Sequence, residues 1–252
     1  MGDPVSHSRS PAIFKAAFAV AGIEGDYEAR QVDGDGVRES FEDVRAGRLD
    51  GLNVTMPHKA LAFALCDRVD PEGQAAGSVN TVVREEGEVV GYSTDIVAIR
   101  ECWRSLPAVG PILILGAGGA AAAAAVALEG TKRTLYIASR TFGDGSALAR
   151  RLGIELGEVH WGVPVVMATV VNSTPLGMKG EELPESVLAL ASGLFDMPYA
   201  TGPTPAAEKA RQLGIPVVEG LDLLVAQAGY GYRIWTGLEP PLDAMRQAVE
   251  NS

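Results

Sequence analysis

A chain of 252 residues that is 47% hydrophobic and 21% charged can bury a sizeable core, as one large domain or two small ones. A formal net charge of -11 argues against nucleic acid as the main partner, because a phosphate backbone would be repelled overall; a small anionic ligand met by local donors stays open. No apolar run approaches the roughly 18 residues of a membrane span, no signal peptide is evident, and Cys66 and Cys102 read as reduced thiols of a cytoplasmic protein, although their spacing leaves a bridge open.

In chain order, Ser10 and Pro11 read as the N-cap and first residue of a helix. Its apolar positions Ile13, Phe14, Ala17, Phe18 and Ala21 recur at helical spacing until Gly22 stops it. A strand is expected over 51–55, with Pro57 opening the next helix, and Asp70-Pro71 starts a short helix that Gly77 ends. Residues 78–83 and 89–92 read as two strands around a Glu-Glu-Gly-Glu turn, and Thr94 or Asp95 caps a helix running to about Trp103. Leu106, Pro107, Gly110 and Pro111 mark a break. Beyond it come strands at 112–115 and 135–138, others around 168–171, 193–195 and 216–218, and a one-sided apolar helix over 222–235. Such alternation of strand and helix predicts α/β layers.

The sharpest local signal is the strand 112–115 entering Gly116-Ala117-Gly118-Gly119-Ala120-Ala121 and an alanine-rich helix. This is the Gly-x-Gly-x-x-Ala dinucleotide fingerprint: Gly116 permits the tight turn, Gly118 lets the backbone approach a pyrophosphate, and Ala121 keeps the helix close to the sheet. At the tip of the second strand an acidic residue would hold the 2′-hydroxyl of NAD. This chain has Ser139, Arg140 and Thr141 there, which favours the 2′-phosphate of NADP, with NAD as the lesser alternative.

In the first third, four polar clusters stand where a strand is expected to end and a helix to begin: Ser8 with Ser10, Thr55 with Lys59, Asn80 with Thr81, and Asp95. Parallel α/β sheets bind ligands outside the carboxyl ends of their strands, so these clusters are expected to converge on one edge, and hydroxyls, an amide, an ammonium and a carboxylate suit a small polyhydroxylated acid. Each also has a plain structural use, as a cap, a turn residue or a solvated charge. Lys59 fits that use least, since a cation at a helix N-terminus is disfavoured unless an anion such as Asp95 offsets it.

These blocks, in order, resemble the signature segments of the shikimate dehydrogenase family. They are Gly2-Asp3-Pro4-Val5-Ser6-His7-Ser8-Arg9-Ser10-Pro11, Asn53-Val54-Thr55-Met56-Pro57-His58-Lys59, Gly77-Ser78-Val79-Asn80-Thr81, Ser93-Thr94-Asp95, the Gly116 loop, 172–178, Asp196-Met197-Pro198-Tyr199 and 224–228. The resemblance implies two α/β domains with a cleft between them. Residues 1–98 with 226–252 would bind substrate and carry catalysis, and 99–225 would form an NADP-binding Rossmann domain. It implies reversible NADPH-dependent reduction of 3-dehydroshikimate to shikimate, on the route to chorismate and the aromatic amino acids. Lys59 and Asp95 would be the catalytic pair; Ser8, Ser10 and Tyr199 would meet the substrate carboxylate; and Thr55, Lys59, Asn80, Asp95 and Gln227 the ring hydroxyls. The cofactor set would include Ser173, Thr174, Pro175 and Gly220 beside the Gly116 loop and Ser139–Thr141.

Three departures from the family pattern stand out. Met1 directly precedes Gly2, so the strand that normally precedes the first block is expected either to be absent or to lie ahead of this sequence. Ser93 replaces an Asn, with Ile96 where a small residue is usual, and Asp144 stands where NADP enzymes of the family often carry a second basic residue. The alternatives are therefore a quinate/shikimate dehydrogenase with relaxed substrate or cofactor choice, or a catalytically weak NADP-binding homologue. His7, His58 and His160 lack metal-ligand spacing, so no metal is expected, and His7 and His58 read as packing or capping residues. Trp103, Trp161 and Trp235 read as packing residues, and the chain as a monomer or homodimer.

Overall fold

In chain order the elements of the computed structural model are α1 (Ser10–Ala21), α2 (Gly34–Arg45), β1 (Gly51–Asn53), α3 (Lys59–Leu65), β2 (Arg68–Val69), α4 (Pro71–Ala76), β3 (Thr81–Glu85), β4 (Glu88–Tyr92) and α5 (Thr94–Trp103). There follow β5 (Ile112–Leu115), α6 (Gly119–Glu129), β6 (Leu135–Ala138), α7 (Asp144–Leu152), β7 (Gly157–Glu158), β8 (Thr169–Asn172), α8 (Glu185–Ala189), β9 (Gly193–Asp196), α9 (Pro205–Gln212), β10 (Val217–Val218), α10 (Gly220–Thr236) and α11 (Leu242–Glu250). The structure describes residues 1–6, 8–107 and 109–250, so His7 lies outside the described residues. The chain divides into two units, 1–98 with 224–252 and 99–223; it passes from one to the other within α5 and back within α10.

The sheet of the first unit runs β1-β3-β4-β2 and is mixed. β1 pairs antiparallel with β3, β3 antiparallel with β4, and β4 parallel with β2. A parallel-sheet argument for the convergence of the polar clusters therefore fails. What brings the residues together is antiparallel register, which sets Asn53 opposite Thr81 and Thr81 opposite Tyr92. The end of β1, the start of β3 and the end of β4 thus share one edge of the sheet. Val37, Phe41 and Val44 of α2 pack with Leu52, Val54, Val82 and Val89 beneath it. Although no regular strand precedes α1 among the described residues, Gly2 forms a parallel bridge with Gln31, and Met1 and Asp3 bond to Thr55 and Met56. Met1 to Asp3 therefore form a rung with backbone partners on both sides.

Two local expectations change. Helix α1 begins at Ser10 itself, with Arg9 in the N-cap position and no side-chain cap. Ser8 instead accepts the Ser10 N–H at 3.4 Å, because the chain is already turning where Ser8 N–H meets the Val5 carbonyl. The strand expected over 51–55 stops at Asn53, since Thr55 enters a turn whose carbonyl accepts the His58 N–H, and α3 starts two residues after Pro57.

The second unit is a six-stranded sheet of order β10-β9-β8-β5-β6-β7, parallel at every pairing. Read from β7, this is the doubly wound order 3-2-1-4-5-6, whose ligands sit beyond the strand carboxyl ends where the winding reverses. β5, β8 and β9 are buried along their whole length, as strands covered on both faces must be. The alanines of α6 from Ala121 to Ala125 are all buried, the small side chain letting helix and sheet approach closely.

In the first unit α10 returns to the sheet, where Trp235 Nε1 donates to the Val82 carbonyl at 3.0 Å and its ring lies against Phe14. A Cβ on Gly51 would fall 2.3 Å from Trp235 Nε1 and 2.5 Å from the Val82 carbonyl oxygen. Gly51→Ala is therefore expected to cost about 1–3 kcal/mol through overpacking, and to lower the melting temperature by several degrees in a circular-dichroism melt.

Candidate active site

The ion pair expected from sequence in the first unit is formed. Lys59 opens α3 and its Nζ lies 2.6 Å from Asp95 Oδ2, in the first turn of α5, with side-chain exposures of 18% and 12%. The carboxylate supplies the anion that a lysine at a helix N-terminus requires. A mostly dry ammonium and carboxylate held this close attract each other far more strongly than a solvated surface pair.

Beside this pair, the Val79 N–H bonds the Lys59 carbonyl and leads into Asn80, which is 3% exposed. Asn80 Oδ1 accepts the Thr94 N–H at 2.8 Å, while its Nδ2 donates to Thr94 Oγ1 at 3.0 Å and to Gln227 Oε1 of α10 at 3.1 Å. Thr94 Oγ1 lies 3.3 Å from Thr81 Oγ1, which accepts from Asn53 Nδ2 at 3.0 Å; Asn53 Oδ1 in turn accepts from the Tyr27 hydroxyl at 2.8 Å. Asn80 and Thr94 thus tie the strands β3 and β4 to α10 and set Asp95 one residue beyond a fixed backbone. Gln227 keeps its Nε2 without a partner among the described residues. Ser8 and Ser10 form a group of their own, with no direct hydrogen bond to Lys59 or Asn80 among the described residues, and Thr55 is exposed on the turn before α3. Ile96, which follows Asp95 where the family pattern has a small residue, is fully buried.

In the second unit Gly116 has φ 109° and its amide bonds the Ala138 carbonyl, so this position needs glycine. Gly118 is different: its φ is -87°, and a Cβ there would meet no atom within 4 Å. No neighbour in the chain demands a glycine at 118, so the open space fits a ligand approaching the backbone. Helix α6 starts behind it without a side-chain cap, leaving first-turn amides for an anion. Ser173 borders the same turn: its Oγ bonds the Leu115 carbonyl at 2.5 Å and would lie 3.0 Å from a Cβ on Gly116. These residues fit a dinucleotide pyrophosphate.

At the tip of β6, Ser139 Oγ bonds the Thr141 carbonyl at 2.7 Å, and Arg140 is exposed with no hydrogen-bonded or ionic partner among the described residues. Asp144 is exposed in the first turn of α7. The amides at this helix start are filled from within the chain. Glu158 at the end of β7 accepts from Gly143 N at 2.7 Å, Gly145 N at 3.1 Å, Ser146 N at 3.2 Å and Ser146 Oγ at 2.5 Å. Those bonds hold its carboxyl below the usual range against the opposing effect of desolvation. Sequence reading missed Glu158, because its target lies on another element and no local pattern links the two. Gly220 opens α10, and a Cβ there would fall 2.3 Å from the Pro198 carbonyl oxygen, so it seats the loop before Tyr199. Thr174 is fixed by Asn172, whose Oδ1 accepts its N–H at 3.1 Å and its hydroxyl at 2.7 Å; Pro175 follows in the same loop.

Other candidates serve packing. His58 bonds the Val32 carbonyl at 2.8 Å, His160 stacks on Phe142, Trp103 lies under Arg133, and Trp161 packs against the core of the second unit. Neither Cys66 nor Cys102 is in a disulfide, and burial pushes the Cys66 thiol up to about 12, which leaves it inert. Among the described residues no group of three or more His, Cys, Asp or Glu is placed to hold a metal ion, and no helix is long and apolar enough to cross a membrane.

Dinucleotide-binding topology in one unit and an ammonium–carboxylate pair in the other are what an NAD(P)-dependent oxidoreductase of small polar substrates requires. Residues 1–82 match the family model for the shikimate dehydrogenase substrate binding domain, and 220–250 that for the shikimate 5′-dehydrogenase C-terminal domain. The protein named shikimate dehydrogenase (NADP(+)) in Geobacter metallireducens is 36% identical over 268 residues, spanning 99% of this chain and 94% of that one. The protein of the same name in Archaeoglobus fulgidus is 37% identical over 263 residues, spanning 99% and 96%. Among solved structures, shikimate 5-dehydrogenase from Thermus thermophilus in complex with NADP(H) and shikimate aligns with a TM-score of 0.88 at 33% identity, over 99% of this chain and 97% of that one. The chain belongs to the shikimate dehydrogenase family.

Asn80→Ala would leave the Thr94 N–H and the Gln227 carbonyl without their buried partner. At roughly 1–3 kcal/mol for each group left unpaired, a loss of about 2–6 kcal/mol is expected in urea unfolding.

Proposed function

We propose that this chain interconverts 3-dehydroshikimate and shikimate with NADP, through the Lys59–Asp95 pair. The observation that carries the proposal is that pair, 2.6 Å apart and largely shielded from water, within a chain whose relatives across its full length are NADP-dependent shikimate dehydrogenases. Residues 1–98 with 226–252 are the substrate and catalytic part, and 99–225 the cofactor part.

The cofactor, when bound, supplies or accepts the hydride. As negative charge develops on the ketone oxygen during reduction, the Lys59 ammonium stabilises it and delivers the proton, and Asp95 holds the ammonium in place and accepts from a ring hydroxyl. In the reverse direction the oxidation releases a proton overall, taken from the hydroxyl by way of Lys59, so shikimate oxidation is favoured at higher pH. Ser8, Ser10 and Tyr199 meet the substrate carboxylate, and Thr55 and Gln227 the ring hydroxyls. The unpartnered Gln227 Nε2 supports its part in this, and Asn80, whose amide already serves Thr94 and Gln227, keeps Gln227 aimed. Gly116 to Ala120 with Ser173, Thr174, Pro175 and Gly220 form the pyrophosphate and nicotinamide side, and Ser139, Arg140 and Thr141 the 2′-phosphate side. With neither cysteine in a disulfide, the enzyme works in the cytoplasm, as a monomer or homodimer.

A second reading, relaxed choice between NADP and NAD, is favoured by one feature. Glu158 occupies the amides at the start of α7, and Asp144 adds a further negative charge, so Arg140 is left to meet a 2′-phosphate.

Steady-state rates on shikimate and quinate with NADP and NAD test both readings. The expected order is shikimate with NADP first, with shikimate oxidation faster at higher pH. Equal or better quinate turnover overturns the substrate assignment, and equal kcat/KM with NAD establishes the second reading. Lys59→Ala is expected to lose most turnover while binding NADPH nearly as before, measured by cofactor fluorescence. Near-normal turnover in that variant overturns the mechanism.

A further inference from the structure

Asp196 ends β9 with only 1% exposure, and its two oxygens reach two different loops. Oδ1 accepts from Asn172 Nδ2 at 2.7 Å, and Oδ2 accepts from the Thr204 hydroxyl in a short contact. Asn172 governs the loop after β8. Besides holding Thr174 through its Oδ1, it donates from Nδ2 to the Leu176 carbonyl at 3.1 Å, and its own carbonyl accepts the Met197 N–H at 3.0 Å. Thr204 caps α9 by accepting the Ala207 N–H at 3.1 Å. One carboxylate therefore fixes the start of the Thr174–Pro175 loop and both ends of the segment from Met197 to Thr204, which carries Tyr199.

We infer that Asp196 is a positioning residue for the reaction, locking the Thr174–Pro175 loop and the Tyr199 loop as one piece so that cofactor and substrate affinity depend on it together. The inference rests on the reading that these loops meet NADP and the substrate carboxylate.

The groups meeting Asp196 from β8 and α9 are the neutral Asn172 and Thr204. The charge acting on it is that of Glu219, which follows β10 and pairs with Arg211 of α9. Burial above all, with a smaller push from Glu219, raises its carboxyl to about 6, against the pull of the Thr204 and Asn172 hydrogen bonds. Both partners present hydrogens, so the anchor is complete with Asp196 ionised and weakens once it is protonated. Stability runs the other way. A carboxyl with a raised folded-state value contributes stability that is present below its unfolded value and lost as pH rises through about 6.

The test compares wild type with Asp196→Asn, Thr204→Val and Thr204→Ser, measuring kcat, KM for shikimate and for NADP, and melting temperature from pH 5 to pH 8. At pH 8 Asp196→Asn is expected to raise both KM values by about tenfold, with a smaller loss of kcat, as the loss of a charge-assisted bond implies. Wild-type kcat/KM should fall below pH 6 with a limb that Asp196→Asn lacks, while wild type gains melting temperature relative to that variant over the same descent. Thr204→Val is expected to raise KM for shikimate more than KM for NADP, and Thr204→Ser to restore it. Unchanged KM values, a lowered melting temperature alone, or an acid limb that persists in Asp196→Asn each overturn the inference. A wild type that oxidises no shikimate overturns the functional reading instead, and NADPH affinity by fluorescence then decides the anchor on its own: equal affinity in Asp196→Asn refutes it.

Discussion

The polar groups of the first unit depend on one constraint, the antiparallel register that sets Asn53 opposite Thr81 and Thr81 opposite Tyr92. Because of it, residues adjoining three different strand ends, Asn80, Thr94 and Asp95 among them, emerge on one edge and can bond side by side. A slip of one residue in β3 would turn Thr81 to the opposite face and break the run from Tyr27 through Asn53, Thr81 and Thr94 to Asn80. The placing of the Lys59–Asp95 pair follows from strand pairing as much as from the identity of the two residues.

Much of the second unit was legible because its signals are local. A buried apolar strand, a glycine turn and an alanine helix follow one another without interruption from Ile112 to Glu129, and each demands its neighbour. The first unit was legible in its residues but not in its topology. Strand–helix alternation suggested a parallel sheet, although the turn expected between residues 78–83 and 89–92 is the one that makes β3 and β4 an antiparallel hairpin and the sheet mixed. Helix α2 was overlooked although Val37, Phe41 and Val44 recur at helical spacing behind an Asp33 cap, because two glycines in its first turn disguised the start. Beyond the Lys59–Asp95 pair, the partnerships between distant elements could not be read: Glu158 with the start of α7, Asn80 with Gln227, Asp196 with Thr204. Even so, a carboxylate closing the buried strand Gly-Leu-Phe-Asp was visible as an anomaly that calls for donors.

The two helix starts nearest the cofactor motif are handled in opposite ways. Helix α6 begins behind Gly118 with no cap and open space before it, whereas α7 begins with its amides already bound to Glu158. The same physical property, a concentration of N–H groups, is kept for an outside anion in one place and satisfied internally in the other. With Arg140 meeting the 2′-phosphate as proposed, selectivity among nucleotides would lie in a side chain rather than in the backbone, and few substitutions would adjust it.

The return of α10 to the first sheet, through Trp235 and Gln227, has a consequence for how the molecule is made. As the ribosome delivers the chain, strands β1 to β4 emerge early, yet the helix that covers Gly51 and orients Asn80 follows only after the whole cofactor unit. The Trp235–Val82 bond closes a span of 153 residues, a separation that makes this docking slow beside the local pairings of the parallel sheet. The second unit, continuous from 99 to 223, can be complete while the first still awaits its last helices. The polar network around Asn80 would then be the last part of the molecule to reach its final order.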